Sequence, residues 1–157
     1  MPRHQYKKTH AKPDAIHNSL EVAKLTNYLM QDGKKSVAQK IVYTVFEQIK
    51  KDGQDPLKVL HQALGNVAPN YEVKPRRLGG ASYLVPIEVR RERKLFLALN
   101  WIITAAASRP NKEFKSFDKK LYTELMEASQ NQGHAVSKKL QTEKLAESNK
   151  AFAHLKW

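Results

Sequence analysis

The sequence predicts a mainly α-helical protein: about six helices in a bundle, with one protruding β-hairpin inserted between helices three and four. Three observations carry that prediction. Apolar residues recur at helical spacing over most of the chain, the period switches to two across residues 71–90, and a glycine pair sits in the middle of that stretch. With 157 residues, 41% of them hydrophobic, the chain has the size of one domain and the apolar content for an ordinary core.

Residues 1–17 hold Pro2, Pro13, three histidines and no sustained period, so they are expected to form an extended basic arm; residues 18–157 are expected to form a single helical domain. Asn18 with Glu21 marks a capping box for the first helix, in which Val22, Leu25 and Leu29 share a face until Asp32-Gly33 stops it. Ser36 and Gln39 repeat that spacing ahead of Val37, Ile41, Val45 and Ile49, a second helix ending at Asp52-Gly53. Asp55 before Pro56 places a cap and a first-turn proline at the head of a third, faced by Leu57, Leu60, Leu64 and Val67.

From Tyr71 the pattern alternates. Tyr71, Val73 and Pro75 interleave with Glu72, Lys74 and Arg76, and Tyr83, Val85, Ile87 and Val89 alternate again beyond Gly79-Gly80. The glycine pair supplies the positive φ angles of a tight turn. Pro75 and Pro86 each deny the ladder a donor, which favours an isolated, projecting ribbon over a larger sheet. Such a ribbon is marginal in water, so the helical body or an external partner must hold it. Helical spacing returns with Leu95, Ala98, Ile102 and Ala105, the most apolar helix, expected to be central with Trp101 in or near the core; Arg109-Pro110 ends it. Phe117, Leu121, Leu125 and Ala128 face a fifth helix closed by Gly133, and Val136 and Leu140 begin a sixth that leads to a basic, aromatic tail.

Charge is the strongest global feature. The net charge is +13, from 28 Lys and Arg against 15 acids. Residues 1–13, 71–94 and 134–157 carry +4, +4 and +3, leaving the blocks between them nearly neutral. Clustered cations of this kind suit a polyanion better than solubility requires. Lys74, Arg76, Arg77, Arg90, Arg91, Arg93 and Lys94 surround the hairpin, where guanidinium and ammonium groups can meet phosphate, while Tyr71 and Tyr83 offer faces for unpaired bases. Lys34 and Lys35 lie at the amino end of the second helix, whose free backbone donors add to their pull on phosphate.

Catalytic chemistry finds no foothold. There is no cysteine, the six histidines form no ligand-spaced pair, no Gly-x-Ser-x-Gly elbow exists, and the acids fall mostly on polar faces beside lysines. Neither an enzyme nor a metal or other cofactor is expected. Asp32-Gly33-Lys34-Lys35-Ser36 is not a nucleotide-binding loop, because Lys35 occupies the required Ser/Thr position and Tyr28 that of the first glycine. No apolar run approaches the roughly 18 residues needed to cross a bilayer, and no targeting segment is visible, so a cytoplasmic protein with no membrane partner is expected.

Three separated motifs give the sequence a resemblance. Asp32-Gly33-Lys34-Lys35-Ser36, the run from Arg76-Arg77-Leu78-Gly79-Gly80-Ala81-Ser82-Tyr83 to Val85-Pro86-Ile87-Glu88-Val89-Arg90, and Ala146-Glu147-Ser148-Asn149-Lys150-Ala151-Phe152-Ala153-His154 resemble, in order, the bacterial-type ribosomal protein seven of the small subunit. The likeness spans nearly the whole chain, with Leu78, Leu84 and Arg91 departing from the usual valine, glutamine and proline. It implies a non-enzymatic constituent of the cytoplasmic small ribosomal subunit that binds the 3′ major domain of 16S rRNA and nucleates assembly of the head. It implies rRNA contacts at Arg3, Lys7, Lys8, Lys12, Lys34, Lys35, Lys74, Arg76, Arg77, Arg90, Arg91, Arg93 and Lys94. It also implies a hairpin tip, Gly79, Gly80, Ala81, Ser82 and Tyr83, facing exit-site tRNA and the messenger, with ribosomal proteins nine and eleven as neighbours. The alternative is an RNA-binding translational regulator acting off the ribosome; sedimentation with small subunits separates the two.

Overall fold

The computed structural model describes residues 12–155. In chain order it contains α1 (Leu20–Leu29), α2 (Lys35–Lys51), α3 (Pro56–Val67), β1 (Tyr71–Leu78), β2 (Ala81–Glu88), α4 (Arg91–Ser108), α5 (Phe117–Ser129), α6 (His134–Ser148) and a 3-10 segment, η1 (Lys150–Leu155). The mainly helical class and the hairpin between the third and fourth helices are as the sequence predicts. The chain divides after Tyr43 into two compact units.

In the first unit the chain is fastened by Asp14. Its buried carboxylate accepts hydrogen bonds from the Ile16 N–H at 3.2 Å, the His17 N–H at 3.1 Å and the Tyr43 hydroxyl at 2.9 Å. Burial alone would push the Asp14 pKa up, but the donors outweigh it and hold the group below the ordinary carboxylate value; burial and the bond to Asp14 raise Tyr43. Asn18 is not the cap of α1, as its capping-box spacing suggests. It adopts a left-handed φ of +46°, and Ser19, in extended conformation, precedes the first helical residue. Ser36 likewise sits inside α2, which begins one residue earlier at Lys35.

The second unit is built around α4. This helix packs against α3, α5 and α6, and Leu97, Ala98, Leu99, Ile102, Ala105 and Ala106 are its buried face. Trp101 lies half-buried beside them. Leu60 and Val67 of α3 and Leu121 and Leu125 of α5 complete the most deeply buried layer. Each such side chain contributes about 1.5–3 kcal/mol by leaving water. At the head of α3 the predicted cap is present: the Asp55 carboxylate accepts from the Leu57 N–H at 3.1 Å, with Pro56 as the first helical residue.

A carboxylate in the core joins three elements. Glu124 of α5, fully buried, accepts from Nε of Arg109 at 3.0 Å and from the Ala135 N–H at 2.9 Å; Arg109 also reaches Glu127. The end of α4, the middle of α5 and the start of α6 thus share one ion-pair cluster, and the pairing raises the Arg109 pKa against the lowering effect of burial. Gly133 does not close α5, as the sequence suggests. It is the residue before α6, at φ +95°, and a side chain there would come within 3.0 Å of Glu127 and 3.1 Å of Glu124.

The hairpin has the predicted turn. Strands β1 and β2 pair antiparallel from Tyr71 opposite Glu88 to Leu78 opposite Ala81, which leaves Gly79 and Gly80 as a two-residue loop. Their φ values of +55° and +89° are those of a type I′ turn, whose twist matches the flanking strands. β1 and β2 form a sheet of two strands; β1 lies against α6 and β2 against η1, so the body supports the ribbon along its base.

Candidate nucleic-acid interface

The hairpin base and the head of α4 form one cationic corner. The chain leaves β2 at Glu88, passes Val89 and Arg90, and enters α4 at Arg91, while the Val89 N–H donates to the Asn70 carbonyl at 3.0 Å and ties the two entrances together. Lys94 Nζ donates to Asn70 Oδ1 at 2.8 Å. Arg93 Nε reaches Glu72 at 3.2 Å with its guanidinium 5.1 Å from the Phe96 ring centre, and Lys74 approaches the same carboxylate at 3.4 Å. Glu72, with its side chain only 14% exposed, therefore acts as an internal counter-ion holding Lys74 and Arg93 side by side. Pairs at this level of exposure are worth about 0–1 kcal/mol, so they orient the cations without consuming their capacity for phosphate.

Arg77, Arg90 and Arg91 differ. All three are exposed and pair with no described acid. Arg90 precedes the first residue of α4 and makes no side-chain cap. Arg76 is half-buried opposite Tyr83. In the first unit, Lys12, Lys34 and Lys35 are exposed; Lys34 lies 3.7 Å from Asp32, and Lys35 opens α2. The other arm residues named from the sequence, Arg3, Lys7 and Lys8, lie outside the described residues.

Register divides the ribbon into two faces, because directly opposed residues project to the same side. Glu72, Lys74 and Arg76 share one face with Ile87, Val85 and Tyr83; Tyr71, Val73, Pro75 and Arg77 share the other with Glu88, Pro86, Leu84 and Ser82. At its base the first face carries the Lys74–Glu72–Arg93 cluster. The second opens there on a cleft of about 710 Å³ lined by Tyr71, Pro86, Glu88, Glu143, Glu147 and Lys150, among others. Glu143 Oε1 accepts the Asn70 N–H there at 3.0 Å. The root of the hairpin thus carries Lys74 and Arg93 around Glu72 on one face, and three carboxylates with Lys150 on the other.

The two tyrosines named for base stacking stand apart. Tyr71 is 52% exposed, whereas the Tyr83 ring lies 5.2 Å from Phe152 of η1 at an interplanar angle of 52°. At the tip, Gly79 and Gly80 have no atom within 4 Å of where a side chain would stand, and Ala81 and Ser82 are exposed. Nothing in the sequence marks Phe152 as a hairpin contact, since about seventy residues separate it from Tyr83, or Asn70 and Glu72 as the anchors of Lys94 and Arg93. Among the described residues no group of three or more His, Asp or Glu could hold a metal ion, and no helix is long and apolar enough to cross a membrane.

A helical body, unpaired surface arginines around a projecting ribbon, and a strong positive excess define a nucleic-acid-binding scaffold protein. Comparison with known proteins makes this specific. The family model described as Ribosomal protein S7p/S5e matches residues 1–150, and the chain belongs to that family. It is 50% identical to the small ribosomal subunit protein uS7 of Caldicellulosiruptor bescii over the full length of both chains. It is 53% identical to that of Acetivibrio thermocellus and 52% to that of Thermoanaerobacter pseudethanolicus, each over 92% of both chains.

Proposed function

We propose that the protein is a primary binder of the 3′ major domain of 16S rRNA that nucleates assembly of the small-subunit head and presents its hairpin tip to exit-site tRNA and messenger. Family membership already makes it a structural, non-enzymatic constituent of the small ribosomal subunit and a binder of ribosomal RNA. The observation that carries the finer reading is the hairpin itself. Its root is ringed by Lys74, Arg90, Arg91, Arg93 and Lys94, while its tip is two uncharged glycines with open space around them. A cationic root suits rRNA phosphates, and a thin neutral tip suits reach toward a second, transient nucleic acid. Arg76, Arg77, Lys12, Lys34 and Lys35, with Arg3, Lys7 and Lys8 of the arm, extend the proposed rRNA footprint, and ribosomal proteins nine and eleven are the proposed neighbours.

The test is footprinting of a 3′ major domain transcript with and without the full chain. Protection confined to that domain, and absent from an unrelated structured RNA at the same salt, is expected. Equal protection of both RNAs would reduce the role to general polyanion binding.

A further inference from the structure

The hairpin has no sheet to lean on. It is a ribbon of two strands with a proline in each, and it depends on what packs against it. Near the root that support is strong, because Val85 and Val89 are buried. Farther out it thins: Leu84 is 40% exposed, and the next residue, Tyr83, is held by the ring of Phe152. Phe152 belongs to η1, a segment with no fully buried residue that packs against β2 and α6. The hairpin and the closing segment therefore lend each other order, each being weakly held without the other.

We propose that Phe152 is a positioning residue: by packing on Tyr83 it fixes the direction in which the outer hairpin projects, and so aims Arg77 and the glycine tip. Tyr83 stands opposite Arg76, and the pair Arg77–Ser82 is the next step toward the tip. A lever pinned at Tyr83 leaves only three residues of each strand side beyond its support, whereas one pinned at Val85 leaves five. This proposal rests on the reading of the hairpin as a nucleic-acid contact for its purpose, but not for its geometry.

An aromatic pair of this kind shifts a local equilibrium by about two- to tenfold. In the full chain, Phe152→Ala is expected to speed amide exchange at Ala81, Tyr83 and Val85, whose N–H groups face the opposite strand, by roughly that factor, and to move the ring-proton resonances of Tyr83. Exchange in α3, α4 and α5 and the melting temperature are expected to stay as they are, and Phe152→Tyr to restore the hairpin. Unchanged hairpin exchange in Phe152→Ala would overturn the proposal. So would faster exchange throughout the helices, which would make Phe152 an ordinary packing residue. The same variants on the 3′ major domain transcript separate the two readings: altered exchange with an identical RNA footprint would uphold the brace and leave the outer hairpin, Arg77 included, without an rRNA contact, the root being untouched.

Discussion

At the scale of single residues, the buried ion-pair cluster is where stability is most exposed to change. Glu124 sits on the same stripe as Leu121, Leu125 and Ala128, with no exposure. In the sequence it passes for one more acid on a polar helix face, because the Arg109 that neutralises it is fifteen positions away and the Ala135 N–H lies beyond a loop. Helical periodicity reports which face is buried; it does not report which charge has found a partner. Replacing Glu124 by alanine leaves the Arg109 guanidinium with only the more exposed Glu127 as its counter-ion and the start of α6 without its acceptor. Urea denaturation is expected to show a loss of about 1–3 kcal/mol. Gly133→Ala, which forces a side chain against Glu124 and Glu127 at φ +95°, is expected to act in the same direction by about 1–3 kcal/mol.

At the scale of elements, what the sequence made legible was local. Asp55-Pro56 opens α3 where it should, and Gly79-Gly80 fixes both the turn and the register of the hairpin, because in each case two or three adjacent residues decide the backbone. The starts of α1 and α2 and the end of α5 were less legible: Asn18 takes a left-handed angle and leaves the cap position to Ser19, α2 begins at Lys35 ahead of Ser36, and Gly133 leads into α6 instead of closing α5. Least legible was what holds the ribbon, because α6 and η1 reach it from more than fifty residues away. The turn chemistry gives a direct expectation. Gly79→Val places a β-branched side chain at φ +55° and costs about 1–2 kcal/mol, enough to weaken a ribbon of two strands. Cross-strand proton contacts between Leu78 and Ala81 are expected to disappear in Gly79→Val and to persist in Gly79→Asn, with the helical spectrum unchanged in both.

At the scale of the molecule, positive charge is general and contact is local. Residues 1–43 carry eight basic groups against three acids and residues 44–157 twenty against twelve, so each unit attracts a polyanion on its own. The family was legible from three motifs, two of which turn out to lie on the ribbon and on the α6–η1 segment that supports it. The clustering of charge was legible as well, but which cations are free was not, because Glu72 and Asn70 engage Arg93, Lys74 and Lys94 through folding. The free set is therefore the one to test. With Arg77, Arg90 and Arg91 all changed to alanine, the slope of log affinity for ribosomal RNA against log salt is expected to fall by about three. The melting temperature is expected to stay within about 2 °C, since none of the three touches the core. An unchanged slope in a filter-binding titration would place the phosphates elsewhere on the chain.

The opposite signs on the two faces of the hairpin root act before any contact forms. Within a Debye length of about 8 Å at physiological salt, a phosphate chain nearing this root meets a pull on the side of Lys74 and Arg93 and a push on the side of Glu88, Glu143 and Glu147. Together these make a torque. The expected outcome is that a rod of negative charge is turned about the hairpin axis as it arrives, so that of the two ways it could lie across the ribbon the one over Lys74 and Arg93 is favoured.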